Sequence, residues 1–294
     1  MAGTGNKATA LSEASLILAA VFWGGNYAAT KIAALSVSPL SIVAFRFVIG
    51  GLLLYCVLRV FEPESGLARG DLLPMAGLGC LGVALGQTTF TFGVSMTSAA
   101  NAGLIFATSP VWGLLLGSAL GLERPTARGV LGVGLSILGV GVVFYGGPGS
   151  GGASLAGDAL VLAAALGFGA YTALSVRTLG RHSPLAVATY PMLFGGALAL
   201  TVALPSLAKT DWVSVGAGAW AAVVFSAVLA TAFAFAAWQT GVSRIGANRV
   251  LVYQYLITAT GVASGVVFFG EALGAAKMVG GVVILLGVYL ARRQ

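Results

Sequence analysis

The chain contains one pattern of long apolar stretches twice, in residues 11–147 and again in residues 155–294. The matched segments are Leu16–Ala20 with Leu160–Ala164, Ser38–Leu40 with Ser183–Leu185, Gly50–Gly51 with Gly195–Gly196, Ala100–Asn101 with Ala247–Asn248, Glu123 with Glu271, and Gly139–Val140 with Gly287–Val288. Each copy holds an odd number of membrane-length stretches, so the second copy must cross the bilayer in the opposite direction. An inverted duplication is typical of secondary transporters that bind substrate between their halves. We therefore expect two domains, residues 1–147 and residues 148–294.

The composition predicts a membrane protein. Apolar residues make up 58% of the chain and charged residues 8%, whereas soluble proteins carry about 25% charged residues. A helix needs about 20 apolar residues to cross a bilayer, and ten such stretches can be drawn. We expect an all-α integral membrane fold with ten transmembrane helices in two inverted five-helix repeats. The expected spans are residues 14–33, 40–60, 72–93, 99–120, 128–146, 157–177, 184–204, 217–239, 249–269 and 277–291.

Positive charge is concentrated at one end of these spans. With a cytoplasmic N-terminus, the inner cations are Lys7, Arg59, Arg69, Arg124, Arg128, Arg177, Arg181, Arg244, Arg249, Arg292 and Arg293, and the outer cations are Lys31, Lys209 and Lys277. This bias obeys the positive-inside rule and places both termini in the cytoplasm. It also explains the net charge of +7 without a nucleic-acid partner, because the cations are spread over every inner loop.

The sequence carries no convincing motif for a metal, a cofactor or catalysis. Residues 77–82 fit a dinucleotide-binding fingerprint by letter, but they lie inside a span with no preceding strand. Cys56 and Cys80 are too few for a disulfide framework, and His182 is the only histidine. An integral-membrane lipid transferase stays a remote alternative, since it would need an acid–base or metal cluster near a membrane face. We expect no enzyme activity, no cofactor and no metal.

Arg46 is the strongest single candidate for a substrate-binding residue. It lies roughly 9 Å inside the outer end of its span, at 1.5 Å per residue. A cation at this depth is costly to insert and usually faces a water-filled path. Its side chain could snorkel to the headgroups, or it could attract a substrate carboxylate, which a guanidinium binds through two parallel hydrogen bonds. The matching position in the second half is Pro191. No acidic residue is a convincing mid-membrane partner for Arg46, because Glu13, Glu123, Asp158 and Glu271 all fall near span ends.

Prolines within spans mark a second kind of candidate. Pro110 lies near the middle of its span and Pro191 follows Tyr190 in another. Each removes a backbone donor and leaves one carbonyl without its helical partner. Either Thr108 or Ser109 satisfies that carbonyl at a kink, or the freed carbonyls accept hydrogen bonds from a substrate ammonium.

Polar and aromatic side chains at mid-span depth complete the candidate site. The predicted substrate-binding residues are Trp23, Asn26, Tyr27, Arg46, Gln87, Thr91, Ser109, Pro110, Tyr171, Tyr190, Trp238, Tyr253 and Gln254. Phe90, Asn101, Gln239, Asn248 and Tyr255 lie at similar depths. Any one of them could instead be an interface anchor or an interhelical contact. Together they suit an amphipathic or aromatic molecule, because aromatic faces stack on organic groups and attract an ammonium.

Several segments resemble a known family. Residues 20–31 (AVFWGGNYAATK) are similar to the first-helix signature of the EamA branch of the drug/metabolite transporter superfamily. Residues 39–46, residues 108–111 and the joints at Leu122–Glu123 and Gly270–Glu271 are similar too. The resemblance covers nearly the whole chain and implies two inverted five-helix repeats around a central cavity, open to each side in turn. Similar members include YddG-type exporters of aromatic amino acids in bacterial inner membranes.

The resemblance implies a secondary transporter exporting amino acids, with aromatic and bulky apolar ones as the leading candidates. An exporter of drugs, purines or sugar-derived metabolites is the alternative. No carboxylate lies near the midplane, so we expect facilitated or exchange transport over strict proton antiport. Partners beyond the small-molecule substrate and the lipid bilayer are not required, and neither is an oligomer. The second half has Gly167, Ala170 and Ser175 where the first has Trp23, Asn26 and Lys31, which predicts an asymmetric site.

Overall fold

The computed structural model describes residues 2–121, 126–145, 154–245, 250 and 253–292, and these form ten long helices and no strand. The helices are α1 (Ala2–Ala34), α2 (Pro39–Phe61), α3 (Arg69–Met96), α4 (Ala99–Ala119), α5 (Ala127–Tyr145), α6 (Leu155–Leu179), α7 (Pro184–Lys209), α8 (Ala217–Ile245), α9 (Tyr253–Phe269) and α10 (Ala275–Arg292). By length and composition, α2 to α8 can each cross a membrane, and α9 and α10 are shorter apolar helices. The all-α membrane fold is confirmed. The domain boundary at residue 147 falls outside the described residues and stays a prediction.

The repeated Ser-Pro-Leu segment begins the second helix of each repeat. The Ser38 hydroxyl accepts a hydrogen bond from the Ser41 N–H at 3.2 Å, and the Ser183 hydroxyl accepts one from the Ala186 N–H at 3.1 Å. A serine cap satisfies a backbone donor that has no partner within the helix. The proline that follows loses nothing at the first helical position. The motif is therefore a helix start shared by both repeats.

The two repeats pack through exchanged partners. α1 lies against α8 and α9, and its counterpart α6 lies against the counterparts α3 and α4. α2 packs along α7, and α5 packs along α10. This reciprocity is what an inverted duplication produces. α1 begins and α10 ends at one face, which we call the terminal face. The helices that end at the opposite face, the distal face, are α1, α3, α5, α7 and α9.

Glycines let α5 and α10 approach closely. A Cβ atom on Gly139 would lie 2.7 Å from the Ile284 backbone nitrogen, and one on Gly280 would lie 2.9 Å from the Gly139 carbonyl oxygen. Both distances are too short for any side chain. Helices in lipid associate where small residues allow such backbone contact. This pair ties the last helices of the two repeats together.

α3 and α8 each contain a turn of π-helix, in Gly79–Leu85 and in Val228–Phe233. The two segments occupy corresponding places in the two repeats. A π turn inserts a residue, changes the direction of the side chains that follow and occurs often at functional sites. The apolar pattern of the sequence predicts neither π-helical segment.

Candidate functional site

A small cavity lies between the two repeats, at the middle of the helices. Its volume is about 30 Å³. The lining residues are Trp23, Asn26, Tyr27, Arg46, Gln87, Phe90, Phe106, Phe168, Phe235, Gln254 and Ile257. Pockets for small molecules typically have volumes of about 300–1,000 Å³, so the walls must separate before this cavity can hold an organic molecule.

Arg46 projects from α2 into this lining and is only 2% exposed. Its Nε atom donates a hydrogen bond to the Thr231 hydroxyl of α8 at 2.8 Å. Its guanidinium carbon lies 5.0 Å from the centre of the Phe47 ring. The Nη1 atom is buried without a partner, and no carboxylate among the described residues forms an ion pair with Arg46. The guanidinium is therefore held inside the protein with unused donor capacity.

Two glutamine side chains in the lining also keep unpaired atoms. The acceptor Oε1 of Gln87 and the donor Nε2 of Gln254 are buried and have no hydrogen-bond partner among the described residues. Leaving such an atom unsatisfied costs about 1–3 kcal/mol. Asn26, by contrast, accepts a hydrogen bond from the Ser226 hydroxyl at 2.6 Å. The cavity thus offers a cationic donor, a neutral donor and a neutral acceptor to a bound molecule.

Aromatic rings form the rest of the wall. The ring of Trp23 lies 5.4 Å from that of Phe235 and 6.0 Å from that of Phe168, both edge to face. Tyr27 meets Phe90 at 5.3 Å. These spacings are favourable for aromatic pairs. The wall is apolar and adaptable in shape, which suits an apolar or aromatic group.

Three further predicted residues lie directly behind the lining. The ring of Trp238 is 5.0 Å from that of Trp23, and the ring of Tyr171 stacks on Phe168 at 6.2 Å. The Thr91 hydroxyl donates to the Gln87 carbonyl of its own helix at 2.8 Å. These side chains support the cavity wall rather than face the cavity in this conformation.

The remaining predicted residues lie outside the lining, namely Ser109, Pro110, Tyr190 and Tyr253. The Tyr190 hydroxyl donates to the Ser65 carbonyl at 2.6 Å, near the terminal face. Tyr253 opens α9 and is half-buried against the core. Asn248 lies outside the described residues, as does Glu123. A substrate contact for any of these residues stays a prediction.

α4 is interrupted at residues 107–108, just before Pro110. The Thr108 hydroxyl donates to the Ile105 carbonyl at 2.7 Å, and the Trp112 indole N–H donates to the Thr108 hydroxyl at 3.1 Å. The carbonyl that Pro110 frees is that of Phe106, four residues before it. Thr108 bonds to the neighbouring Ile105 carbonyl instead, so neither proposed role of the break is decided.

Charged and polar groups converge at the distal face. We call Lys31, Thr97, Ser98, Asn101, Asp158, Glu271 and Lys277 the distal network. The Glu271 carboxylate accepts hydrogen bonds from the backbone N–H groups of Ala99 and Ala100 at 2.7 and 2.9 Å. Lys31 Nζ lies 3.5 Å from Glu271 Oε1 and donates to the Thr97 carbonyl at 2.6 Å. A residue of the second repeat thus caps α4 of the first, where a negative charge is favourable.

Asp158 forms the other half of the distal network. Its carboxylate accepts from the Asn101 amide at 3.1 Å and from the Thr97 hydroxyl. Lys277 Nζ donates to the Ser98 hydroxyl at 3.2 Å. The sequence shows these charges as isolated residues at span ends. The fold joins them across the two repeats at the distal face.

Within the part of the chain that the structure describes, no group of three or more His, Cys, Asp or Glu side chains is placed to hold a metal ion. His182 and Arg181 contact the Asp71 carboxylate near the terminal face, at 3.1 and 3.0 Å. Cys56 and Cys80 are free cysteines.

Sequence reasoning missed several residues of the site. Phe106, Phe168, Phe235 and Ile257 line the cavity, and Thr231 holds Arg46. The three phenylalanines share a usable signal, an aromatic side chain well inside a span. Thr231 carries no comparable signal, because only the packing of α2 against α8 brings it to Arg46.

Two inverted five-helix repeats, with a polar and aromatic cavity between them, define a multi-pass membrane transporter. The chain belongs to the EamA-like transporter family, whose sequence profile matches residues 11–145 and again residues 155–293. The predicted resemblance to this branch of the drug/metabolite transporter superfamily is confirmed.

Proteins similar to this chain carry transporter names. An "Uncharacterized transporter" of Archaeoglobus fulgidus is 25% identical over 95% of this chain and 98% of its own length. A "Probable terminal-alkyne amino-acid exporter" of Streptantibioticus cattleyicolor is 28% identical over 95% of this chain and 93% of its own. A crystal structure with 20% identity has a TM-score of 0.68 and covers 96% of both chains. That structural likeness supports the fold alone.

Proposed function

We propose that this chain exports amino acids across a bacterial inner membrane by alternating access, with aromatic and bulky apolar amino acids as preferred substrates. The observation that carries the proposal is the Arg46 guanidinium, which is buried in the cavity lining without a carboxylate partner among the described residues. A substrate carboxylate would supply the missing negative charge through paired hydrogen bonds.

Other lining groups suit the rest of an amino acid. The unpaired Oε1 atom of Gln87 is an acceptor for the substrate ammonium. The faces of Trp23 and Tyr27 also attract a cation. The phenylalanine-rich wall suits a bulky apolar side chain. The similar exporter of Streptantibioticus cattleyicolor is named for an amino acid with an apolar terminal alkyne.

Alternating access requires each face of the cavity to open in turn. In this conformation the distal network joins α1, α4, α6 and the loop after α9 at the distal face. We propose that the distal face is periplasmic, and that these contacts separate when the cavity opens to release substrate there. The terminal face is then cytoplasmic, as the distribution of cations predicts.

The transport mode follows from the charges around the cavity. Its lining residues include no aspartate, glutamate or histidine. Intramembrane residues of these types commonly carry the proton in proton-coupled transporters. We therefore propose facilitated or exchange transport. Counterflow of labelled substrate should be unaffected when a pH gradient is collapsed, and strict dependence on that gradient would refute this mode.

A substrate panel in proteoliposomes tests the function. Proteoliposomes that contain the purified protein are loaded with unlabelled phenylalanine. We then measure uptake of labelled phenylalanine, tryptophan, leucine, glutamate, lysine, a purine base and a cationic dye. We expect exchange of the first three and little exchange of the others. Exchange of the purine or the dye without any amino acid would overturn the proposal and favour the alternative exporter class.

A further inference from the structure

The π turn of α8 holds two cavity residues of the first repeat. Thr231 is completely buried, and its hydroxyl accepts the hydrogen bond from Arg46 Nε at 2.8 Å. The preceding residue, Ala230, offers its carbonyl to the Trp23 indole N–H at 2.7 Å. The N–H of Ala234 bonds to the carbonyls of Leu229 and Thr231 and passes over that of Ala230. The π turn therefore presents consecutive residues to Arg46 and Trp23.

The fold contains a second contact between the repeats, α7 with α3, that corresponds to this contact of α2 with α8. A Cβ atom on Gly50 of α2 would lie 2.7 Å from Thr231 Cγ2 and 3.1 Å from the Ala227 carbonyl oxygen. At the corresponding contact of α7 with α3, a Cβ atom on Gly195 would meet Val83 Cβ at 2.5 Å and the Gly79 carbonyl oxygen. Val83 thus occupies the place that Thr231 has in the other half.

The arginine and the threonine change together between the halves. Where the first contact has Arg46 with Thr231, the second has Pro191 with Val83. Valine and threonine have nearly the same shape, so packing alone does not require the hydroxyl of Thr231. The hydroxyl is present at the contact that carries the guanidinium.

We propose that Thr231 is a positioning residue, which fixes the Arg46 guanidinium so that its Nη end stays available to the substrate carboxylate. This inference rests on the proposed function. A free arginine side chain has many rotamers, and ordering it during substrate binding would weaken the binding. With Nε bonded to Thr231, the two terminal nitrogens remain for a paired contact with a carboxylate.

Three single variants test the positioning role in the proteoliposome exchange assay. Thr231→Val removes the acceptor while keeping the shape. It should raise the KM for amino acids about tenfold with an unchanged maximal rate, because the Arg46 side chain must then be ordered when substrate binds. Thr231→Ser keeps the hydroxyl and should restore a KM close to that of the unmodified protein. Val83→Thr introduces a hydroxyl at the corresponding contact of α7 with α3. It is the matched control and should leave the KM unchanged.

A structural role would give different results. If Thr231→Val and Thr231→Ser raise the KM equally, or if Thr231→Val lowers the maximal rate without changing the KM, the positioning role is refuted. Substrate binding to Arg46→Ala, measured by tryptophan fluorescence, should be insensitive to adding Thr231→Val; a further loss would also refute it. If Arg46→Ala transports carboxylate substrates normally, the proposed function itself fails. If Arg46→Ala is inactive and Thr231→Val is normal, only the role of Thr231 fails.

Discussion

The cavity and the distal network differ in how their buried charged groups are paired. Both network carboxylates, Asp158 and Glu271, are hydrogen-bonded by groups from other helices. In the cavity, Arg46, Gln87 and Gln254 each keep an atom without a partner. Asn101 of the distal network also has an unpaired oxygen, so the two regions differ in their charged groups and not in every polar atom. Buried charges are normally paired, and the unpaired guanidinium of Arg46 is therefore the feature that favours a ligand in the cavity.

The largest expected effect on exchange follows removal of the Arg46 side chain. Arg46→Ala should lower exchange of carboxylate substrates by about 100-fold, because removing one member of a buried charge pair costs roughly 2–5 kcal/mol. Arg59→Ala, which changes an exposed arginine on the same helix, is the matched control and should exchange normally. The liposome assay described above measures both. An Arg46→Ala protein with full activity would show that the unpaired guanidinium does not mark the site.

The distal network should give a smaller effect of another kind. Glu271→Gln weakens the contact with Lys31 and the cap on α4, so the distal face should open more often. The measurement is labelling of an Ile257→Cys variant with an impermeant maleimide in whole cells, with Cys56 and Cys80 replaced by alanine. Labelling should become about tenfold faster if the change removes roughly 1.4 kcal/mol from the closed state.

The control for this experiment is Glu64→Gln, which alters an exposed glutamate near the terminal face. It should leave the labelling rate unchanged. Equal rates in Glu271→Gln and the parent would show that the distal network does not keep the cavity closed.

Within the cavity, loss of the Gln87 side chain should affect transport less than loss of Arg46. Gln87→Ala should raise the KM for amino acids about fivefold, because a hydrogen bond lost to a substrate ammonium is worth about 1 kcal/mol or slightly more. Thr89→Ala, on the same helix and bonded only to its own backbone, serves as the control. An unchanged KM in a Gln87→Ala protein would remove Gln87 from the site and leave the ammonium to the aromatic faces.

A substitution outside both regions provides a baseline. Ser183→Ala removes the cap of α7 and should lower the free energy of unfolding by about 1 kcal/mol without changing the KM. Unfolding in detergent, followed by circular dichroism, and the exchange assay measure the two quantities. A changed KM in this variant would mean that small losses of stability alter transport, and the effects above would need correction for it.

Sequence reasoning predicted the scaffold better than the site. Span lengths and the odd number of spans per repeat are visible in the apolar pattern, and they predicted the inverted repeats. Trp23, Asn26, Tyr27, Arg46, Gln87 and Gln254 were placed in the cavity by their depth within spans. Depth is one coordinate, however, and rotation about the helix axis is another. Because the sequence does not show how each helix is rotated about its axis, it predicts Tyr190 in the cavity, whereas Tyr190 lies near the terminal face. For the same reason it misses Phe168, which lines the cavity.

The distal network and the π turns were beyond sequence reasoning for a related reason. Asp158, Glu271 and Lys277 lie far apart in the chain, and their meeting depends on how the repeats pack. The π turn that brings Thr231 to Arg46 adds a residue to a helix whose apolar pattern gives no sign of it.

The small size of the cavity has a consequence for the cell. An exporter with an open, wet interior would conduct protons and ions between transport cycles and so dissipate the membrane potential. A cavity of about 30 Å³ is far smaller than an ordinary ligand pocket and leaves little room for water in this conformation. We therefore expect little ion leakage through the protein without substrate, and we expect the space for substrate to form only as substrate enters.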